Sequence, residues 1–262
     1  MASPSNDLYP SKMGAVPLSD ERDALMILQN SVLGLWEIVN NLTRLKPTRT
    51  CHYRVTIFGS ARCEPGTPTY EKTRKIANAL AEMGCDIITG GGPGLMQAAN
   101  EGAMAAGAPE HNHSIGIRVD LPFEQGANSF VQMAFTHRTF FTRLHHFVLS
   151  SDAFIVTPGG IGTLLELTMI WQLLQVGHLK NVPLILVGSM WPSLIEWAKT
   201  NMVHGDFPMA NDNDMNLPIC VEHSDQAIAI IQAHREEWLK HNCEAPPSYL
   251  EPADEIFPPN GN

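Results

Sequence analysis

The stretch Ala153–Gln175, AFIVTPGGIGTLLELTMIWQLLQ, constrains the fold more than any other part of the chain. Phe154-Ile155-Val156 is a short apolar run suited to a strand buried on both faces. Pro158-Gly159-Gly160-Ile161-Gly162-Thr163 breaks that strand, and Leu164, Leu165, Leu167, Ile170, Trp171 and Leu174 then recur at helical spacing. A strand, a glycine turn and a helix in immediate succession bring backbone N–H groups and a helix N-terminus together where an anion can bind. Glycine also lets the main chain come close to such a ligand. Glu166 is the odd residue, a carboxylate in the first turns of an otherwise apolar helix. Its plain reading is a side chain stabilised by the helix N-terminus. A carboxylate beside a phosphate cradle repels its own ligand unless the chemistry needs it, and this makes Glu166 a catalytic candidate.

The same unit recurs along the chain. Val55–Phe58 leads into Gly59-Ser60-Ala61-Arg62, and a helix from about Tyr70 to Met83 follows. Asp86–Thr89 leads into Gly90-Gly91-Gly92-Pro93-Gly94, which opens a helix through Met96, Ala99 and Met104. Further strands are expected at Ser114–Val119, Gln132–Thr136, Val182–Val187 and Ile219–Val221. Further helices are expected at Thr139–Leu149, Trp191–Met202 and Asp225–Lys240. Alternation at this spacing predicts an α/β, Rossmann-like, doubly wound parallel sheet over residues 51–243. Residues 1–50 form a disordered start and an amphipathic helix over about 20–45, whose apolar stripe includes Leu25, Leu28, Val32, Leu35, Ile38, Val39 and Leu42. Residues 244–262 are a proline-rich tail.

Ligands of such sheets bind beyond the carboxyl ends of the strands. The candidate phosphate- and nucleotide-binding set is therefore Gly59, Ser60, Gly91, Gly92, Gly94, Leu95, Met96, Gly159, Gly160, Ile161, Gly162 and Thr163, gathered on one rim. One glycine-rich turn alone is a weak signal; three at one edge exceed what chain reversal needs. No GxGxxG with an acid about twenty residues on occurs, and no GxxxxGK[ST], so a single phosphate is a better ligand than a dinucleotide or the phosphates of a P-loop.

Composition narrows the partners. The net charge of −10 offers no basic surface for nucleic acid. No apolar run reaches the length of a membrane span, and the polar N-terminus has no signal core. The five cysteines are odd in number and lack a CxxC pair, which points to a reducing, cytoplasmic setting without a zinc or disulfide framework. His111-Asn112-His113 reads as a polar loop because no third ligand is apparent, and Asn211–Asp214 reads as a polar turn because it lacks the glycine and distal glutamate of a calcium loop. His145 and His146 share a helix with Arg143, and at most one of them faces the pocket. No metal and no cofactor are assigned.

Two motifs carry a resemblance. Gly90-Gly91-Gly92-Pro93-Gly94-Leu95-Met96 and Pro158-Gly159-Gly160-Ile161-Gly162-Thr163-Leu164-Leu165-Glu166 resemble those of the Lonely Guy family of nucleotide phosphoribohydrolases, whose members were long mislabelled lysine decarboxylases. The second motif has the family's PGGxGTxxE form in full, and the resemblance covers roughly residues 53–240. Leu121–Gln125 with Asn128, then Phe140–Arg143, is similar to the longer bacterial branch that hydrolyses nucleoside monophosphates. The resemblance implies a Rossmann-like fold, a homodimer or higher oligomer, and a catalytic pair that falls on Arg143 and Glu166. It implies hydrolysis of the N-glycosidic bond of a nucleoside 5′-monophosphate, AMP-like or a cytokinin riboside monophosphate, to free base and ribose 5-phosphate. The family usually has lysine where Leu144 stands and often threonine where Gln172 stands. The rival reading is a binding or carrier protein on the same fold, as in molybdenum-cofactor carriers. Pyridoxal phosphate chemistry on lysine has no supporting motif.

Overall fold

The computed structural model describes residues 21–42, 52–107, 113–120, 126–205 and 207–243. The expectations placed on residues 1–18, Leu121–Gln125, His111 and 244–262 lie outside the described residues. The chain divides into two compact units, Met1–Pro47 and Thr48–Asn262. In the first, α1 spans Glu21–Leu42, and Leu25, Met26, Ile27, Leu28, Val32 and Leu35 are exposed on it.

The second unit is built on seven strands: β1 (Tyr53–Phe58), β2 (Cys85–Thr89), β3 (Ser114–Val119), β4 (Met133–His137), β5 (Ala153–Val156), β6 (Leu184–Val187) and β7 (Pro218–Val221). They form one sheet in the order β4-β3-β2-β1-β5-β6-β7, and every neighbouring pair is parallel. Parallel strands covered on both faces need apolar side chains throughout, and β1, β2, β5 and β6 are almost wholly buried. Edge strand β4 is exposed along most of its length.

The helices are α2 (Pro68–Glu82), α3 (Leu95–Ala105), α4 (Phe140–Ser150), α5 (Ile161–Gln175), α6 (Trp191–Ala198), α7 (Asp212–Met215) and α8 (Ser224–Asn242). Two apolar cores flank the sheet. On one face Val55, Ile57, Ile87, Ile155 and Ile185 pack with Ile76 and Leu80 of α2, Ala99 and Ala103 of α3, and Ala227 and Ile231 of α8. On the other, Phe58, Ile88, Phe154 and Val156 pack with Phe147 and Val148 of α4, Leu167 and Ile170 of α5, and Trp191 of α6. The alternation of adjacent strand residues between the two cores is the period-two pleat expected of a strand. The sheet class and nearly all elements match the sequence reading. Two details differ. Helix α6 continues as a π-helical segment over Lys199–Val203 instead of an α-helix to Met202. Asn211–Asp214, read as a turn, is the capped start of the short helix α7, whose Asp214 carbonyl accepts from Trp171 Nε1 at 2.7 Å.

The order of strands reverses between β1 and β5, because β1 to β4 are laid down outward on one side and β5 to β7 on the other. Open α/β sheets bind ligands at this reversal, beyond the carboxyl ends of the strands.

Candidate active site

Three turns meet at that reversal, one after each of β1, β2 and β5, and main-chain hydrogen bonds tie them together. Ser60 N–H donates to the Pro158 carbonyl at 3.1 Å, and Leu95 N–H donates to the Ser60 carbonyl at 2.8 Å. Gly94 has φ +72°, and a Cβ there would collide with the Ser60 carbonyl oxygen and sit 2.6 Å from the Ala61 carbonyl carbon. Both neighbours are backbone and cannot swing aside. Gly94→Ala should therefore cost about 2–3 kcal/mol in urea unfolding, the loss expected for a strained dihedral added to a fixed clash. A cost below about 0.5 kcal/mol would show that the turn relaxes freely.

Gly159 has a tight role of the same kind, since a Cβ would strike the Thr163 side chain. Gly160 and Gly162 differ: a Cβ at either would meet nothing within 4 Å. Their smallness is not demanded by packing within the chain and leaves the approach to the α5 N-terminus open. Gly160 is the N-cap of α5 and Gly94 that of α3, and neither helix has a side-chain cap. The first N–H groups of a helix lack intrahelical partners and carry the positive end of its dipole. For α3 the first of them, on Leu95, is taken by Ser60. The first turn of α5, Ile161-Gly162-Thr163, is where an anion can be held, with Ile161 exposed and Thr163 buried.

The second glycine turn is fixed from below by a polar network that the sequence reading missed. Thr89 Oγ1 donates to Asn100 Oδ1 at 2.7 Å and accepts from Gly91 N–H at 2.9 Å. Asn100 Nδ2 reaches Ser114 Oγ at 2.9 Å, and Asn128 Nδ2 reaches both the Gly92 carbonyl at 2.9 Å and Asn100 Oδ1 at 3.0 Å. Thr89, Asn100 and Ser114 are buried, so these bonds satisfy groups that water cannot reach.

Arg143 and Glu166 come together although they lie on different helices. Arg143 Nη1 is 3.5 Å from Glu166 Oε1, and both side chains are about nine-tenths buried. Arg143 comes from the first turn of α4, whose N-cap Thr139 accepts from Thr142 N–H. Its Nε donates to the Ile117 carbonyl at 2.9 Å, and its guanidinium lies 5.2 Å from the centroid of the Phe147 ring. A Cβ on Gly90 would run into Arg143 Nη2. Gly90, absent from the binding set drawn from sequence, thus makes the room in which the arginine sits beside the glycine turn. Its sequence signals are its place at the head of the glycine run and of the motif that carries the resemblance.

Glu166 is buried, not the solvated helix-start residue of its plain reading. Burial raises its carboxyl to about 7, and Arg143 pulls the other way without cancelling the effect. A carboxyl poised near neutrality beside a fixed cation can exchange a proton at physiological pH. Of the two departures in this region, Leu144 is buried, whereas Gln172 is exposed and donates to Gln175. His146 is engaged by His137 at 2.9 Å and by the Phe135 ring.

The fold and rim define an α/β protein with a glycine-lined helix N-terminus and a buried arginine–glutamate pair. A family model described as possible lysine decarboxylase matches residues 96–231, about half of the chain, and includes both members of that pair; the chain belongs to this family. It is 28% identical over 155 residues to a cytokinin riboside 5′-monophosphate phosphoribohydrolase of Arabidopsis thaliana, covering 58% of this chain and 70% of the relative. A second phosphoribohydrolase of the same name and plant is 28% identical over 184 residues, covering 66% and 80%. Among solved structures, the molybdenum cofactor binding protein of Rippkaea orientalis superposes with a TM-score of 0.53 at 21% identity, over 70% of this chain and 96% of that one. The molybdenum cofactor carrier protein of Chlamydomonas reinhardtii gives 0.53 at 18% identity, over 70% and 98%. These two show that the fold is shared.

Proposed function

We propose that the protein is a phosphoribohydrolase that cleaves the N-glycosidic bond of a nucleoside 5′-monophosphate, an AMP-like nucleotide or a cytokinin riboside monophosphate, to give free base and ribose 5-phosphate. The observation that carries this reading is the buried Arg143–Glu166 pair beside an uncapped, glycine-lined helix N-terminus. The names of the plant relatives agree with it. The 5′-phosphate sits on the first turn of α5, which anchors the ribose and supplies binding energy remote from the bond that breaks. As the C1′–N bond breaks, its electron pair leaves with the base and positive charge builds on the ribose ring. Ionised Glu166 stabilises that charge and accepts one proton of the water that attacks C1′; that proton then passes to the departing base nitrogen, which gives the free base and returns Glu166 to its ionised form. Arg143 holds Glu166 in place and offers its guanidinium to the phosphate or to charge on the departing base.

Incubation with AMP, other nucleoside monophosphates and a cytokinin riboside 5′-monophosphate, followed by chromatography for free base, tests the proposal. Base should be released from at least one of them. Release from none would leave a non-catalytic nucleotide- or cofactor-binding protein as the better reading. The proposal includes self-association, for which the exposed apolar residues of α1 supply a physical reason. Sedimentation at micromolar concentration should show a dimer or larger species, and removal of residues 1–46 should change it. A monomeric full-length chain would refute this part.

A further inference from the structure

At the other end of the sheet, three side chains converge that the catalytic reading does not use. His52 immediately precedes β1, Asp86 is the second residue of β2, and His113 immediately precedes β3. The register explains why they meet. Arg54 pairs with Asp86, and Ile87 pairs with Ser114, so Asp86 lies beside His113 while His52 stands two residues before Arg54. With a period of two, all four side chains share one face. His113 Nδ1 is 3.1 Å and His52 Nδ1 is 3.8 Å from the same oxygen, Asp86 Oδ1. One ligand atom from each of the three residues lies within 4.8 Å of the others.

We propose that His52, Asp86 and His113 form a binding site for a divalent first-row transition ion of the zinc type, remote from the catalytic rim. Two imidazoles and one carboxylate suit such an ion, with the remaining positions filled by water. In a tetrahedral site with bonds of about 2.0–2.1 Å, ligand atoms stand roughly 3.3 Å apart. The observed spacings reach that geometry through small side-chain rotations. His52 and His113 are about one-third exposed, which permits those rotations and gives the ion a path from solvent. Asp86 is nearly fully buried and already oriented. The His113 backbone N–H donates to Oδ1 at 2.8 Å, and Arg54 Nε donates to Oδ2 at 3.4 Å. Outer hydrogen bonds of this kind commonly orient a ligating carboxylate. Arg54 also opposes a second cation, and because it engages Oδ2 while both imidazoles face Oδ1, the two oxygens divide the work.

The ion would pin the starts of three adjacent strands. It would lie a strand length from the glycine turns, on the order of 15 Å, too far to touch the reacting nucleotide. Its role is structural, and it needs no step in the hydrolysis.

Chelator-treated full-length protein, titrated with zinc ion against a chromogenic chelator, should take up one equivalent per chain. His52→Gln and His113→Gln should each weaken uptake by at least ~10-fold, because each removes one ligand. Cobalt ion should give the visible absorption of a low-coordinate site, and the double variant should lose it. His204→Gln, at an exposed histidine paired with Asp212 elsewhere on the surface, should change nothing. Zinc should raise the melting temperature of the wild type and not of the double variant, while the two should melt alike in excess chelator. No stoichiometric uptake by the wild type at micromolar free zinc, or wild-type affinity in the double variant, would overturn the proposal.

Discussion

Glu166→Gln should lower kcat for nucleotide hydrolysis by ~10²-fold or more. The substitution keeps the size and hydrogen-bonding capacity of the side chain and removes the charge that, in the proposed reaction, stabilises the ribosyl cation. One good electrostatic contact in a site closed to water contributes about 3 kcal/mol to the transition state. Affinity for AMP, measured on the variant by calorimetry, should hold or rise, since a carboxylate near a phosphate repels it. Arg143→Ala should instead damage turnover and nucleotide affinity together. The pH profile supplies an independent check. Glu166 is raised to about 7 in the ligand-free protein, and the proposed role needs it ionised, so kcat/KM should climb as pH rises through that value. The residual activity of Glu166→Gln should lose that limb. Folding carries the opposite sign. The folded carboxyl holds its proton more tightly than the ordinary value of 4.5, so its contribution to stability is complete below about 4.5 and is lost as pH rises through about 7. The proposed activity should therefore be greatest where this residue helps the fold least. Wild-type turnover in Glu166→Gln would remove the centre of the functional reading.

Adenosine should be a far poorer substrate than AMP, by ~10²-fold or more in kcat/KM. The two differ only in the phosphate, and the first turn of α5, which has no side-chain cap, presents its N–H groups at the positive end of a helix dipole. Charge-assisted contacts of this type are roughly twice as strong as neutral ones, and their loss removes both anchoring and orientation at the scissile bond. Adding ribose 5-phosphate to the adenosine reaction should not restore the rate, because it occupies the same place. Equal rates for AMP and adenosine would show that the glycine rim holds no phosphate.

The sheet was legible because its inner strands are buried on both faces and its turns are marked by glycine. Phe154-Ile155-Val156 and Leu184–Val187 can be little else between helical repeats. Elements that rely on tertiary context were less legible. The π-helical segment at Lys199–Val203 and the short helix at Asp212 have no local period to announce them. In the candidate site, Glu166 stands out in sequence as a charge in an apolar helix, but its neighbour does not. Arg143 belongs to α4, which precedes β5 in the chain, and only the resemblance singles it out. Their contact exists because α4 and α5 pack on the same face of the sheet. The roles of Gly90, Thr89 and Asn100 are not legible in sequence for a related reason: each acts through a residue distant in the chain. His113 was set aside for want of a third ligand, and its companions arrive from the starts of two other strands, a pattern that local spacing cannot encode.

The pairing of β1 with β5 also bears on how the chain comes off the ribosome. Arg54 and Asp152 are hydrogen-bonded neighbours separated by 98 positions in the sequence. By the time β4 has emerged, β1 can already pair with β2 on one side. Its other edge waits for Ala153–Val156. During that interval Val55, Ile57 and Phe58 sit on an unpaired, apolar strand edge in the middle of the future sheet. Such an edge recruits other strands readily, and contacts this distant in sequence form slowly. Nascent chains that stall before residue 153 should be the form of this protein most dependent on chaperones.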